Sequence, residues 1–253
     1  MSNLIFLGSS NAIPTANHQT TQFALITPGR KLLVDCGTNP VVRLEQAGIE
    51  VNDITDIILT HFHPDHVAAL PLLLLDMWLM KRRTPLYIHG LDYTIERVES
   101  MMALFDWEVW PDFYPVNFNR VGMDNMTPVL EDDQMRILSS PVNHFLPTIC
   151  LRIELKLENK SIAYSCDTEP CQAVLDISKN VDILLHEASG NFEGHSSATQ
   201  AGEVARDVGA GALYLVHYPT GRFAKGDLEA EARSVFNGKV RLAVDLLNIE
   251  LKK

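Results

Sequence analysis

The stretch THFHPDHVAAL, residues 60–70, places the strongest constraint on what this chain can fold into. Three histidines and one aspartate lie within the six positions from His61 to His66, and apolar residues follow almost at once. Burying four such groups is costly unless each of them has a partner. The stretch must therefore be exposed, or the fold must bring further polar groups or a metal ion to it.

Strands and helices alternate along the chain. Short apolar runs bounded by Gly, Pro or polar residues predict buried strands at 3–9, 23–28, 31–37, 56–61, 135–142, 149–157, 161–167, 181–187 and 212–218. Helical length and spacing predict helices at 66–80, 90–105, 170–178, 197–210 and 227–236. Because helices follow strands to the end of the chain, we expect them to cover the faces of a sheet.

Composition limits the classes of protein that this can be. A chain of 253 residues, 46% hydrophobic and 21% charged, fills a large core, and it has no repeat or linker, so we expect a single domain over 1–253. The longest apolar run contains Pro71 and Asp76 and is shorter than the roughly 18 residues of a membrane-spanning helix. Because that run is short, no membrane partner is expected. Four cysteines without CxxC pairing favour a reduced, cytoplasmic protein. The net charge of −11 disfavours tight binding to a nucleic-acid backbone.

Other polar side chains share one position, the carboxyl end of a predicted strand. His61 ends one strand, His144 follows the next, Asp167 ends a third, and His217 lies near the end of a fourth. Open α/β architectures bind ligands at this edge of the sheet. These residues can therefore converge although they are far apart in the sequence.

The residue types favour a catalytic metal site. His61 and His63 are two positions apart in an extended segment, so both rings can reach one ion, while Asp65 and His66 could hold a second. Neutral imidazole and carboxylate groups suit zinc and similar divalent metals. His144, His217 and Asp167 lie at the other strand ends, and Asp167 can bridge the two ions. Each ion then has at least three protein ligands and can keep a position open for water. A structural zinc site is closed by four protein ligands, commonly including Cys.

These residues resemble the metallo-β-lactamase superfamily, whose HxHxDH signature is present as His61, His63, Asp65 and His66. Five further segments resemble the ribonuclease Z-like group: FLGSSNAIPT (6–15), PVNHFLP (141–147), YSCDTEPC (164–171), LLHEAS (184–189) and GHSSATQAGEVA (194–205). The last two segments separate that group from the β-lactam-hydrolysing members. The resemblance covers almost the whole chain.

The resemblance implies a four-layer αββα sandwich with metals at one edge. It implies two divalent metal ions, zinc or alternatively manganese or iron. Their ligands would be His61, His63 and His144 for one ion, Asp65, His66 and His217 for the other, and Asp167 for both. The two ions would hold a hydroxide between them as the nucleophile.

The resemblance also implies catalytic roles for three residues. Asp65 would orient the nucleophile, and Glu187 would hold His195, which would protonate the leaving oxygen. Structural roles are the alternatives: a core histidine for His217, a surface or capping carboxylate for Glu187 and a loop histidine for His195. The remaining histidines, His18, His89 and His186, are predicted not to bind metal, and Cys166 is predicted to be a core thiol.

Three functions remain open. A phosphodiesterase acting on RNA ends or small phosphodiesters leads, because Glu187 and His195 are present. A carbonyl-centred hydrolase, such as a lactonase or thioesterase, would use the same metals and suits the acidic chain. A metal-binding structural protein would need a broken ligand set, and none is broken in this sequence.

The same resemblance bears on partners. Ribonuclease Z grips transfer RNA with a long arm inserted between the positions of His144 and Asp167, and the intervening residues 145–166 leave no room for it. Transfer RNA is therefore doubtful as a partner, and the expected partner is a phosphodiester or a small-molecule substrate. The missing arm also suits the carbonyl-centred hydrolase. Members of the group commonly dimerise, so a homodimer is expected, with apolar regions 66–80 and 101–118 as candidate surfaces.

Overall fold

A computed structural model describes residues 2–253. Its strands are β1 (Ser2–Gly8), β2 (Gln22–Ile26), β3 (Lys31–Val34), β4 (Asp56–Ile58), β5 (Leu86–Leu91), β6 (Val116–Val121), β7 (Thr127–Glu131), β8 (Met135–Pro141), β9 (Ile149–Leu155), β10 (Lys160–Tyr164), β11 (Ile183–Glu187), β12 (Ala212–Val216), β13 (Lys239–Leu242) and β14 (Asn248–Leu251). Its α-helices are α1 (Val41–Gln46), α2 (Pro64–Val67), α3 (Leu70–Leu79), α4 (Asp92–Ala103), α5 (Gln172–Ile177), α6 (Ala198–Asp207) and α7 (Leu228–Arg233). Short 3-10 turns occur at Val51–Asp53, Trp107–Val109 and Gly221–Phe223.

The strands form two mixed seven-stranded sheets. The first has the order β14-β1-β2-β3-β4-β5-β6, in which β3 to β6 run parallel and the other neighbours antiparallel. The second has the order β13-β12-β11-β10-β9-β8-β7, in which β10 to β13 run parallel. In this second sheet β7 to β10 are antiparallel neighbours. The chain completes most of the first sheet, builds the second, and returns to the first through β14.

Strands that are apolar on both faces explain the layers. In β1, Leu4 and Phe6 belong to the core between the two sheets, whereas Ile5 and Leu7 belong to the core beneath the helices of the first sheet. Successive side chains of a strand point to opposite faces, so a continuous apolar run is buried on both sides. A third core joins the outer face of the second sheet to α5, α6 and α7. The predicted αββα sandwich is confirmed.

The parallel strands set the position of the polar segments. Parallel neighbours in these sheets end at the same edge, so the segments after β3 and β4 lie side by side. The segments after β10, β11 and β12 do the same in the second sheet. Both groups of segments lead into the histidine and aspartate cluster described below.

The helix predicted over 66–80 is interrupted. α2 ends at Val67 and α3 begins at Leu70. Pro71 has no amide hydrogen to donate to the carbonyl of Val67, and its ring would clash with that carbonyl in a continuous helix. The sequence analysis also failed to predict β5, although Pro85 precedes it and Gly90 lies near its end. It likewise missed β6, β7, β13 and β14. No helix within residues 2–253 combines the length and apolar character that crossing a membrane requires.

Candidate metal centre

Four segments bring the seven predicted ligands together. His61 and His63 lie between β4 and α2, and Asp65 and His66 lie in α2. The remaining three follow strands of the second sheet, namely His144 after β8, Asp167 after β10 and His217 directly after β12. Pro64 occupies the first position of α2, where its missing amide hydrogen costs nothing, so the chain can turn from strand to helix between the two pairs.

Three imidazole rings form the first half of the cluster. His63 Nδ1 lies 3.0 Å from His61 Nε2 and 3.1 Å from His144 Nε2. Asp167 Oδ2 lies 4.0 Å from His61 Nε2. Potential ligand atoms of these four residues all lie within 4.8 Å of one another.

The second half of the cluster contains two carboxylates. Asp65 Oδ2 lies 3.6 Å from His66 Nε2 and 3.3 Å from His217 Nε2. Asp167 Oδ2 lies 3.5 Å from His66 Nε2 and 3.3 Å from His217 Nε2. One oxygen of Asp167 thus faces nitrogens of both halves.

The donor atoms fit divalent metal ions. A tetrahedral ion about 2.0–2.1 Å from each nitrogen holds its ligand atoms about 3.3 Å apart, which matches most of the separations above. His66 Nε2 and Asp167 Oδ1 are buried and have no hydrogen-bond partner among residues 2–253. Leaving such an atom unpaired costs about 1–3 kcal/mol, so both atoms favour a bound cation.

The pKa values of the cluster agree with this fit. Burial lowers the pKa of His144 to about 4, and burial together with the neighbouring His66 lowers that of His61 well below its usual range. Both rings are therefore neutral at pH 7, which is the form that binds metal. Burial opposes a charge on His66, but the carboxylates of Asp167 and Asp35 outweigh it and raise the pKa of His66 well above its usual range. The site therefore attracts positive charge at that position.

A buried aspartate that the sequence analysis missed orients His66. Asp35 Oδ2 lies 2.9 Å from His66 Nδ1, and Asp35 Oδ1 accepts hydrogen bonds of 2.9 Å from both the amide and the hydroxyl of Thr60. A carboxylate on one imidazole nitrogen directs the other nitrogen toward a metal. Asp35 follows β3 directly, so the strand-end position that identified the ligands was also its signal.

Two further ligands are held in the same way. Ser189 Oγ lies 2.8 Å from His217 Nδ1, and the carbonyl oxygen of Gly194 lies 2.8 Å from His144 Nδ1. In both rings Nε2 is left to face the cluster. Ser189 was not predicted either, although it lies in the LLHEAS segment.

Three residues with a left-handed backbone conformation lie at the same edge. Asp35, Cys166 and His217 have φ values of 63°, 54° and 51°, in the left-handed region that residues other than glycine rarely adopt. Each such residue costs on the order of 1–3 kcal/mol and persists only where its surroundings require it. The chain therefore turns sharply after β3, β10 and β12, which aims the following side chains at the cluster.

Glu187 and His195 lie next to the predicted metal ligands. His195 Nδ1 is 2.9 Å from Glu187 Oε1, which also accepts hydrogen bonds from the amides of Thr168 and Ser196, each 3.1 Å long. Glu187 is fully buried, and burial raises its pKa above the usual value although His195 acts in the opposite direction. The His195 ring is nearly parallel to that of His217, 5.9 Å away, and one ring nitrogen lies within 4.8 Å of ligand atoms of His217 and Asp167.

The other histidines lie outside the ligand groups found within residues 2–253. His89 Nε2 is 3.0 Å from Asp56 Oδ1, His18 Nδ1 is 3.0 Å from Ser9 Oγ, and His186 Nδ1 donates to the carbonyl of Glu187 at 2.8 Å. Cys166 is buried in the core between the sheets, with Sγ 3.5 Å from His61 Nδ1.

This chain is similar to several known proteins in sequence or in fold. The family model described as Anti-Pycsar protein Apyc1 matches residues 2–102, which include the segment from His61 to His66. Ribonuclease Z of Methanothermobacter thermautotrophicus is 28% identical, over 100% of this chain and 97% of that protein. The metallo-β-lactamase fold protein YhfI of Bacillus subtilis has a TM-score of 0.82 at 23% identity, covering 98% of both chains. The short form of human tRNase Z has a TM-score of 0.81 at 22% identity, covering 99% of this chain and 100% of that chain.

Proposed function

Because this chain is a ribonuclease Z-like member of the metallo-β-lactamase superfamily, we propose that it is a metal-dependent phosphodiesterase. The observation that carries the proposal is the buried pair of Glu187 and His195 beside the ligand cluster. An alkoxide is a poor leaving group, and a positioned acid that protonates it accelerates its departure. Hydrolysis of a thioester has less need of such an acid, because a thiolate is a better leaving group than an alkoxide.

The proposal includes two divalent metal ions, zinc or alternatively manganese or iron. The residues that would hold them are His61, His63 and His144 for one ion, Asp65, His66 and His217 for the other, and Asp167 for both. When bound, such ions activate water and stabilise charge on a phosphoryl oxygen.

The protein's own side chains would supply orientation and proton transfer. Asp65 Oδ2 faces the ring nitrogens of His66 and His217, and this carboxylate would orient an attacking water. Glu187 fixes Nδ1 of His195, which leaves the opposite side of the ring for donating a proton to the leaving oxygen. A carboxylate often holds a metal-binding histidine in the same way. The metal content of a His195 variant therefore distinguishes a proton donor from an additional metal ligand.

A small phosphodiester fits this chain better than a folded RNA. The hairpin of β9 and β10, which lies between His144 and Asp167, is closed by only residues 156–159. The net charge of −11 also opposes an extended polyphosphate. We therefore propose a small phosphodiester as substrate and a minor role, if any, for transfer RNA.

We propose that the protein is a cytoplasmic homodimer. Exposed apolar side chains at the ends of α3 and α4, including Leu79, Leu104 and Phe105, would form a homodimer surface in a chain with one domain. Four free cysteines, three of them buried, suit a reducing cytoplasm.

The experiment that tests the function measures metal content and substrate class together. We expect purified protein to contain close to two divalent metals per chain by elemental analysis and to hydrolyse bis(p-nitrophenyl) phosphate in preference to a panel of lactones and thioesters. His63→Ala and Asp167→Ala should lower both metal content and activity. Active protein without metal, or a preference for the lactone or thioester panel, would overturn the proposal.

A further inference from the structure

Two exposed phenylalanines flank the proposed proton donor. Phe145 and Phe192 are 56% and 54% exposed, and their ring centroids lie 6.3 Å and 4.8 Å from that of His195. Single exposed apolar side chains are common on protein surfaces. Two rings from different loops beside one candidate catalytic side chain are a more specific arrangement.

The loop that carries His195 has space for both rings because it contains glycines. A Cβ atom on Gly190 would lie 2.9 Å from the Phe192 ring, and one on Gly194 would lie 2.7 Å from the Phe145 ring. Both glycines have positive φ, 140° and 75°, which other residues rarely adopt. The glycines thus leave the space in which the two rings pack against this loop.

Charge limits what can bind against the rings. A cavity of about 350 Å³ beside Phe145 is lined by Glu169 and Glu193, and its lining includes no lysine or arginine. Glu169 accepts a hydrogen bond of 2.8 Å from the amide of Gly194, which holds this carboxylate in place. Additional phosphate groups would be repelled here, whereas a flat uncharged ring could pack on the phenylalanines.

We propose that Phe145 and Phe192 bind the leaving group of the substrate and select one that carries a planar, uncharged ring, such as a nucleobase or aryl group, without further phosphates. This inference rests on the proposed function, because it places the leaving oxygen beside His195. Stacking on an aromatic side chain tolerates different bases, so the two rings select for planarity and not for base identity.

The test compares two substrates whose leaving groups share the same reacting 5′ oxygen and differ only in the presence of a base. One is the methyl phosphodiester of uridine at its 5′ oxygen, and the other is that of 1-O-methylribose, which lacks the base. Release of free nucleoside or sugar by the metal-loaded enzyme gives KM and kcat for each. We expect Phe192→Ala to raise KM about 5- to 10-fold more for the uridine diester than for the sugar diester, near the lower end of stacking effects because the ring is half exposed. Phe192→Tyr should keep the wild-type preference.

Leu157→Ala is the matched control, since Leu157 is also about half exposed, at 51%, but lies in the turn between β9 and β10. Binding of analogues in which CH₂ replaces the scissile ester oxygen, measured by calorimetry, gives a readout that does not need turnover. The base should strengthen binding to wild type and Leu157→Ala, and not to Phe192→Ala.

The outcomes separate the two proposals. Hydrolysis of both diesters with equal KM, or an equal effect of Phe192→Ala on both, would refute the role of the rings and leave the phosphodiesterase standing. Failure of wild type to hydrolyse any diester would refute the proposed function, and base-dependent analogue binding that is lost in Phe192→Ala would then still support the aromatic site. Base-independent binding of the analogues to wild type would refute that site.

Discussion

Replacing Asp35 with asparagine is expected to weaken metal binding although Asp35 itself is not a ligand. In the wild type, Asp35 Oδ1 accepts from the Thr60 amide and Asp35 Oδ2 faces His66 Nδ1. An asparagine has only one acceptor oxygen at these two positions. If its oxygen faces the Thr60 amide, its NH₂ faces His66 Nδ1, which must then accept, and the ring proton moves to Nε2, where the metal would bind. If the amide group is flipped, its NH₂ meets the donating Thr60 amide.

The expected loss of metal affinity in Asp35→Asn follows from this geometry. Asp35 is fully buried, so water cannot replace either lost bond. One unsatisfied buried group costs about 1–3 kcal/mol, and each 1.4 kcal/mol corresponds to about tenfold in affinity. We therefore expect about 10- to 100-fold weaker binding at the site of His66, which agrees with the usual effect of losing such an orienting carboxylate.

Competition with a chromogenic zinc chelator measures this affinity in stripped and reloaded protein. Asp56→Asn is the matched control, because Asp56 is also buried and faces a histidine, His89, at 3.0 Å in the same sheet but away from the cluster. Both variants should lower the melting temperature, and only Asp35→Asn should weaken metal binding. Wild-type metal affinity in a folded Asp35→Asn variant, or an equal loss in Asp56→Asn, would refute the reasoning.

Three further predictions concern the acid, the substrate and the stability. His195→Ala should keep the wild-type metal content, retain much activity on an aryl phosphodiester and lose about 10²–10⁴-fold on an alkyl or nucleoside leaving group, since only those need protonation. Loss of metal in that variant would make His195 a ligand, and an equal rate loss for all leaving groups would exclude it as the acid. Transfer RNA precursors should be cleaved poorly at physiological salt, and efficient site-specific 3′ cleavage on a gel would contradict the argument from the short hairpin. Burial opposes the charge of Asp56, but hydrogen bonds from His89 and Arg30 outweigh the effect of burial and lower the pKa of Asp56. The contribution of Asp56 to stability is therefore present above the ordinary Asp pKa of about 3.9 and is lost as pH falls through the lowered pKa. The difference in melting temperature between wild type and Asp56→Asn should therefore shrink from pH 5 toward pH 2, and a constant difference would refute this assignment.

The sequence by itself predicted alternating buried strands and helices, because apolar runs of strand length identify buried strands. It also placed polar residues at the carboxyl ends of strands, which can meet at a sheet edge. The spacing of His61, His63, Asp65 and His66 indicated the chemistry, since imidazole and carboxylate at that density need a partner. The four-layer arrangement and the division of the ligands between two ions came from the resemblance to the metallo-β-lactamase superfamily.

The tertiary structure decided which groups surround those residues. Asp35 contacts His66 across 31 positions, and Ser189 contacts His217 across 28, so no local pattern links either pair. The placement of Phe145 and Phe192 beside His195 depends on two loops that meet only when the second sheet has formed. Local periodicity specifies which face of an element is buried, whereas the pairing of distant elements determines which side chains meet there. In this protein that pairing determines how the side chains of the cluster are oriented.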